Sequence, residues 1–328
     1  MKRDFIVLTK LIIQIPCYNE EETLGITLAA LPKTLPGVDV IERLIINDGS
    51  TDGTVRVARE LGVEHIVDLP VNQGLARAFM AGLEASLAGG ADIIINTDAD
   101  NQYNADDMVK LIEPVIKKTA EIVVGARPID SVGHFSPAKK FLQKLGSWAV
   151  RVVSGTDIPD APSGFRAMSR NAAMQLNVFN DHTYTLETII QAGHKGIPIT
   201  WVPVRVNEVL RPSRLVKSVP SYVGRSIMVI VRIFMLYKPL RFFTILGSIP
   251  FTLGFLLGIR WLSLFYFFPE PGRTYVPSLI LAAILLLIGF QTWILGLIAD
   301  LMAANRRLLE EIRLRTRRAE LDKKSKPE

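Results

Sequence analysis

Two aspartates one residue apart, Asp98 and Asp100, follow the apolar run Ile93–Thr97, and Gln102 stands two residues further on. Alternate side chains of an extended segment point the same way, so these three oxygen-bearing groups can converge. Hard oxygen ligands with no Cys or His beside them suit Mg2+ or Mn2+, ions that commonly hold substrate phosphates. Asp-x-Asp is also a common pattern of solvated loops, so its surroundings decide between the two readings. Polar groups also cluster at Pro16-Cys17-Tyr18-Asn19-Glu20, at Asn47-Asp48-Gly49 and at Asn72-Gln73-Gly74. His65, His134, His182 and His194 fall at no metal-ligand spacing and carry no assigned chemistry. Neither G-x-G-x-x-G nor G-x-x-x-x-G-K occurs in this region, and Glu20, Glu21 and Glu22 would repel a diphosphate at the first helix N-terminus. Both features argue against a dinucleotide-binding site.

Each polar cluster comes just after a short apolar run, which is the arrangement expected of strands feeding helices. Leu11–Pro16 reads as a buried strand, followed by a helix with Asn19 as N-cap and acids in its first turn. Leu44–Asn47 precedes a turn and a helix through Leu61. His65–Leu69 precedes a helix from Gly74 to Leu87, and Ile93–Thr97 precedes one from Ala105 to Lys118, with Ile122–Gly125 following. Such alternation predicts an α/β fold, a mostly parallel sheet with helices on both faces. In open sheets of this kind ligands sit beyond the carboxyl ends of the strands, where the polar clusters fall.

Charge divides the chain. Of its 328 residues, 38 are basic and 32 acidic, net +6. Residues 1–204 nevertheless carry 19 basic and 24 acidic groups, net −5, whereas residues 205–241 carry 8 and 1, net +7. Residues 242–301 balance at 2 and 2, and residues 302–328 carry 9 and 5, net +4. An acidic N-terminal portion argues against nucleic acid as a partner. The basic collars bracket Phe242–Ile259, resumed as Trp261–Phe268 after Arg260, and Val276–Ala299. About 20 apolar residues span a bilayer core, so two transmembrane helices are expected, joined by Pro269–Tyr275. Basic flanks on both outer sides predict that the N-terminal portion and the C-terminal tail lie in the cytoplasm, on the cell (inner) membrane. Arg260 lies where it can snorkel to the far interface. Ser218–Arg241 mixes apolar residues with four cations, the composition of an amphipathic helix lying in the membrane interface. No cleavable leader is visible, and the lone Cys17 allows no intramolecular disulfide. The expected organisation is residues 1–210, the α/β domain that carries the polar clusters; 211–241, basic and juxtamembrane; 242–301, a transmembrane hairpin; and 302–328, a basic tail. A homo-oligomer is left open.

The clusters are familiar as an ordered set. Pro16-Cys17-Tyr18-Asn19-Glu20, Asn47-Asp48-Gly49-Ser50-Thr51-Asp52-Gly53-Thr54, Asp98-Ala99-Asp100 and Ser163-Gly164-Phe165-Arg166 together resemble the family-2 glycosyltransferases of GT-A fold. Within them the chain is most similar to the dolichyl-phosphate mannose synthase-like branch, which glycosylates polyprenyl phosphates. The resemblance covers residues 11–240. It implies a nucleotide pocket at Pro16, Tyr18, Glu20 and Asp48, with Asn72 and Gly74 alongside, and a metal and diphosphate site at Asp98, Asp100 and Gln102. It also implies a reacting centre near Asp160, and an acid at Glu187 whose alternative is a helix-surface charge. For Tyr18 the alternative is core packing. Arg77 stands where lysine is usual, Pro162 where threonine is common, and Asn101–Asp107 lacks the frequent double proline, which leaves the donor sugar open.

The function so implied is inverting transfer of a hexose from a nucleotide-diphosphate sugar, of UDP-glucose or GDP-mannose type, to a polyprenyl or dolichyl phosphate in the bilayer. Arg127, Arg166, Arg211 and Arg214 are the expected acceptor-phosphate cations, with Lys139, Lys140 and Lys217 behind them. The alternatives are a processive polysaccharide synthase, disfavoured by two spans and the lack of a Gln-x-x-Arg-Trp motif, and a catalytically silent membrane scaffold.

Overall fold

A computed structural model describes residues 8–128, 137–178, 184–207, 228, 231–232, 234–267 and 275–324. They form two compact units, residues 1–226 with 314–328, and residues 227–313.

The first unit is built on a seven-stranded sheet. Its strands are β1 (Lys10–Cys17), β2 (Val40–Asp48), β3 (His65–Leu69), β4 (Ile93–Asn96), β5 (Ile122–Ala126), β6 (Arg166–Ser169) and β7 (Ile199–Pro203). They lie in the order β3-β2-β1-β4-β6-β5-β7, with every described pairing parallel except those of β6. The helices are α1 (Glu21–Ala30), α2 (Thr54–Glu60), α3 (Leu75–Ala88), α4 (Met108–Ile116), α5 (Pro137–Ser154), α6 (Arg170–Gln175) and α7 (Thr185–Lys195), and a short 3-10 turn (Ala105–Asp107) precedes α4. The expected mostly parallel sheet with helices on both faces is therefore present.

Strand alternation sorts the core into two layers. Leu11, Ile13 and Ile15 of β1 join Leu24, Leu28, Met108, Leu111 and Ile112 on one face. Ile12 joins Leu44, Ile46, Phe79, Leu83 and Met168 on the other. Both faces of β1 and β4 are covered, so these strands read as continuous apolar runs.

Strand β6 is what the alternation of apolar runs did not foretell. It lies between β4 and β5 and runs against both, pairing Asn96 with Arg166 and Val124 with Arg166. Because β6 runs the opposite way, its entrance meets the exits of β4 and β5. The segment Ala161–Phe165 is thereby delivered to the sheet edge that carries Asp98.

Asn19 also departs from expectation. Its φ is +55°, and the N-cap position belongs to Glu20, which makes no side-chain cap. Asn19 instead laces two loops together: its backbone N–H donates to Ser50 Oγ (2.9 Å) and its Oδ1 accepts from Thr51 N–H (2.8 Å). Glu20 N–H donates to Thr54 Oγ1 (2.9 Å), and Gly53 N–H to Glu21 Oε2 (2.9 Å).

The second unit contains α8 (Pro239–Phe267) and α9 (Val276–Lys324), the latter running on into the first unit's C-terminal segment. Both are long and apolar enough to cross a membrane. Their contact uses glycines: a Cβ on Gly247 would lie 2.8 Å from Gly289 O, and one on Gly254 2.8 Å from Ala282 O. Such close backbone approach is how helices associate where no hydrophobic effect drives them together. Trp293 Nε1 donates to Thr244 O across the same contact (3.1 Å).

Candidate functional site

Beyond the exits of β1, β2 and β4 the polar clusters meet. Asp48, at the end of β2, is buried, and its carboxylate accepts from the backbone N–H groups of Gln73 (2.7 Å) and Gly74 (2.9 Å). This clamps the loop at Asn72 against the Asp48–Gly49 turn. A Cβ on Gly49, whose φ is +67°, would lie 2.4 Å from Asn72 N, so only glycine fits there. Tyr18 is 43% exposed, which removes the core-packing alternative. Glu20 is buried and accepts from Thr23 Oγ1 (2.7 Å).

Asp98 and Asp100 follow β4 on a segment held from several sides. Thr27 Oγ1 donates to Ala99 O (2.8 Å), and Asn207 Nδ2 donates to Asn101 O (2.9 Å). Arg205 binds the Asp107 carboxylate through its backbone N–H and its guanidinium. Asn101 sits at φ +53° and turns the chain, after which Gln102 N–H donates to Asp100 Oδ1 (3.1 Å). The Gln102 contact given to Asp100 is thus made by backbone.

The carboxyl of Asp98 is pushed up from 3.8 to about 7. Burial is the largest cause, and Asp100 and Glu20 add like charge, while Arg127 and Arg166 oppose the rise. A bound cation would relieve this crowding. Among the described residues no group of three His, Cys, Asp or Glu side chains could hold a metal by itself. Two carboxylates with open positions fit Mg2+ or Mn2+, which take a few protein oxygens and complete their shell with phosphate and water.

The segment entering β6 packs directly beneath. A Cβ on Gly164 would lie 2.9 and 3.0 Å from the two Asp98 carboxylate oxygens and 3.0 Å from Tyr184 Oη. Asn96 Nδ2 donates to Gly164 O (2.9 Å) and to Tyr184 Oη (2.7 Å), while Gln14 Nε2 donates to Asn96 Oδ1 (2.9 Å). Gly164 N–H donates to Tyr103 Oη (3.1 Å). Phe79 stacks on Tyr184 at 3.9 Å and Tyr103 on Phe165 at 5.0 Å. Tyr103 was not foreseen; an aromatic five residues after Asp98 is a signal only once β6 is known to lie beside β4.

Arg166 differs from expectation. It is fully buried, and its guanidinium donates to Ser163 O (2.9 Å), Ala161 O (2.8 Å) and Thr188 Oγ1. Burial lowers its pKa to about 10. An arginine enclosed in this way ties the segment together from below and presents no surface to a lipid phosphate, so it leaves the acceptor set. Asp160, also fully buried, accepts from three donors of Arg127: the backbone N–H (3.1 Å), Nε (2.8 Å) and Nη2 (3.0 Å). The Arg127 side chain stays 8% exposed, and the pairing with Asp160 keeps it charged. Glu187 is buried, which excludes the surface alternative. Arg211, Arg214 and Lys217 lie outside the described residues, as do the side chains of Lys139 and Lys140, most of Ser218–Arg241 and most of the Pro269–Tyr275 connector.

The family model described as "Glycosyl transferase family 2" matches residues 12–176, half of the chain. An undecaprenyl-phosphate mannosyltransferase of Micrococcus luteus is 29% identical over 201 residues, 58% of this chain and 80% of the relative. A UDP-N-acetylglucosamine–dolichyl-phosphate N-acetylglucosaminyltransferase of Methanococcus voltae is 31% identical over 218 residues, 58% of this chain and 83% of the relative. A polyprenol monophosphomannose synthase of Mycolicibacterium smegmatis is 25% identical over 208 residues, 60% and 77% of the two chains. Among solved structures, glucosyl-3-phosphoglycerate synthase from Mycobacterium tuberculosis, in complex with Mn2+, UDP and phosphoglyceric acid, superposes with a TM-score of 0.53. Its identity is 19%, and the match covers 69% of this chain and 78% of that one, a likeness of fold.

The crowding at Asp98 sets a stability cost with a definite sign. Its folded pKa of about 7 exceeds the ordinary 3.8, so the folded state binds more protons between these values, and stability falls as pH rises through that window. Asp98→Asn is expected to flatten that fall and to make the metal-free protein more stable than wild type above about pH 7, by an amount on the order of 2 kcal/mol. Unfolding transitions recorded in chelator from acid to neutral pH check this; two parallel curves would refute it.

Proposed function

The chain belongs to glycosyl transferase family 2, and on that premise we propose that it moves a hexose from a nucleotide-diphosphate sugar onto a polyprenyl phosphate at the cytoplasmic face of a membrane. The observation that carries this reading is the crowded carboxylate pair Asp98/Asp100 at the exit of β4, with an Arg127–Asp160 pair nearby on the same sheet edge. Relatives named for undecaprenyl, polyprenol and dolichyl phosphates support the acceptor class, and two helices able to cross a membrane agree with a lipid acceptor. The sugar, of UDP-glucose or GDP-mannose type, is the finer part of the proposal.

In this reading Pro16, Tyr18, Glu20, Asp48, Asn72 and Gly74 receive the nucleotide's base and ribose. Asp98, Asp100 and Gln102 hold a divalent ion and, through it, the diphosphate. That ion supplies Lewis-acid neutralisation of the charge that builds on the departing diphosphate. A phosphate monoester has a second pKa of about 6, so the acceptor oxygen is already anionic and needs no strong base. Catalysis then rests on positioning and on charge stabilisation. Arg127 grips the acceptor phosphate, joined by Arg211 and Arg214, and Asp160 aims Arg127. A single in-line displacement inverts the anomeric centre.

Purified protein incubated with a polyprenyl phosphate, Mg2+ or Mn2+, and a panel of radiolabelled UDP- and GDP-sugars is expected to yield an extractable glycolipid from one donor. No product from any donor, with the acceptor proven on a control enzyme, would sink the reading.

Asp160→Asn distinguishes aiming from base catalysis. Its expected effect is a KM for the acceptor raised about tenfold, corresponding to ~1.4 kcal/mol, with kcat at saturating acceptor and KM for the donor nearly unchanged. A collapse of kcat at saturation would instead make Asp160 the base.

A further inference from the structure

Tyr103 touches both halves of the site and has no part in the transfer as proposed. It is buried, on the segment that carries the carboxylate pair, five residues after Asp98. That segment is fastened to the chain leaving β7. Tyr103 pairs with Val206 in an antiparallel bridge, Asn104 N–H donates to Arg205 O (3.2 Å), and Asn207 N–H donates to Gln102 O (2.8 Å). Asn207 Nδ2 donates to Asn101 O (2.9 Å) and Tyr103 O (3.3 Å). Any shift of the Tyr103 ring is therefore a shift of the loop that carries Asp100 and Gln102.

The hydroxyl and the ring meet different neighbours. Oη accepts from Gly164 N–H (3.1 Å) and from Ser163 Oγ (3.4 Å). Gly164 is the residue that leaves no room for a Cβ against the Asp98 oxygens, so the hydroxyl fixes the floor on which that carboxylate rests. The ring stacks on Phe165 at 5.0 Å, and the Arg127 guanidinium carbon lies 5.9 Å from its centroid. That is within the roughly 6 Å at which a cation is drawn to an aromatic face. Asp160 grips Arg127 through Nε and Nη2, and the ring limits where that pair can lie. A residue that only filled the core would need no hydroxyl here, since phenylalanine takes the same space with no polar group to satisfy.

We propose that Tyr103 is a positioning residue of the transfer, its hydroxyl holding Gly164 against Asp98 and its ring holding the Arg127 guanidinium, so that one side chain sets the span between the divalent-ion site and the acceptor-phosphate cation. It acts through Gly164 and Arg127 rather than on the reacting atoms. The inference rests on the proposed transfer, in which the acceptor oxygen must stand in line with the departing diphosphate. Misplacing reacting groups by an ångström can cost about a hundredfold in rate, so a rigid aromatic spacer between the two sites has a direct use.

Two substitutions separate the two ends: Tyr103→Phe keeps the ring and removes the hydroxyl, and Tyr103→Leu removes both. With the full chain in nanodiscs, Mn2+ affinity is read by electron paramagnetic resonance in the presence of UDP or GDP, and KM for undecaprenyl phosphate is read at saturating donor. Tyr103→Phe is expected to weaken Mn2+ binding about tenfold and to leave the acceptor KM within about twofold of wild type. Tyr103→Leu is expected to weaken Mn2+ binding as much and also to raise the acceptor KM about tenfold. Wild-type values of both constants in both variants, with only the unfolding temperature lowered, would overturn the proposal, because core packing alone predicts that. So would a Tyr103→Phe acceptor KM as poor as that of Tyr103→Leu, since the ring would then hold nothing. The Mn2+ titrations need neither sugar nor lipid. A wild type that binds Mn2+ and nucleotide yet glycosylates no polyprenyl phosphate contradicts the transfer reading, and the titrations still decide whether Tyr103 holds the metal site.

Discussion

The structure turns on a carboxylate kept where it is uncomfortable. Asp98 is partly buried at the end of β4, faces the like charges of Asp100 and Glu20, and is only partly offset by Arg127 and Arg166. Nothing forces a fold to accept such a group unless something else uses it, since burial of unmatched charge is costly. The surrounding architecture serves to hold it in place. An antiparallel β6 brings Gly164 against both of its oxygens with no room for a side chain. Below that, Asn96, Tyr103, Tyr184, Ser147 and Arg166 hydrogen-bond the entering segment and hold Gly164 in place against the carboxylate.

The same arrangement separates two arginines that look alike in sequence. Both Arg127 and Arg166 follow or open a strand at the same edge of the sheet. Arg166 is enclosed and spends its donors on carbonyls and Thr188, whereas Arg127 pairs through Nε and Nη2 with the Asp160 carboxylate and keeps 8% of its side chain exposed. A guanidinium held by one bidentate partner keeps donors to spare; one fixed on all sides is a rivet. Residue type suggests phosphate for both, and only burial distinguishes them.

Much was legible from local pattern. The short apolar runs gave β1, β3, β4 and β5 to within a residue at each end, whereas Leu44–Asn47 is only the buried part of β2, whose half-buried opening Val40–Arg43 carries Glu42 and Arg43 and breaks the apolar run. The polar clusters fell at the strand exits because a parallel sheet collects its exits on one edge. What escaped was decided at long range. The antiparallel entry of β6 has no local signature, and neither has the Arg205–Asp107 clamp, whose partners are 98 residues apart. Asn19 resembled a helix cap by type, but its amide is taken by the neighbouring loop at Thr51, and a left-handed backbone is needed to reach it. The net charge of +6 concealed an acidic domain, basic collars around two apolar helices, and a cationic α5 within the acidic part.

If the two carboxylates exist to receive a diphosphate through a divalent ion, they should hold that ion poorly alone and well with its second partner. The direct measurement is Mn2+ binding followed by electron paramagnetic resonance, with and without a nucleoside diphosphate, near neutral pH. On this reading Mn2+ binds weakly to the protein alone, and the affinity rises by about two orders of magnitude when UDP or GDP is present, as coupled binding through shared ligands requires. Mn2+ affinity that is the same with and without either nucleotide, or that survives Asp98→Asn together with Asp100→Asn, would contradict it.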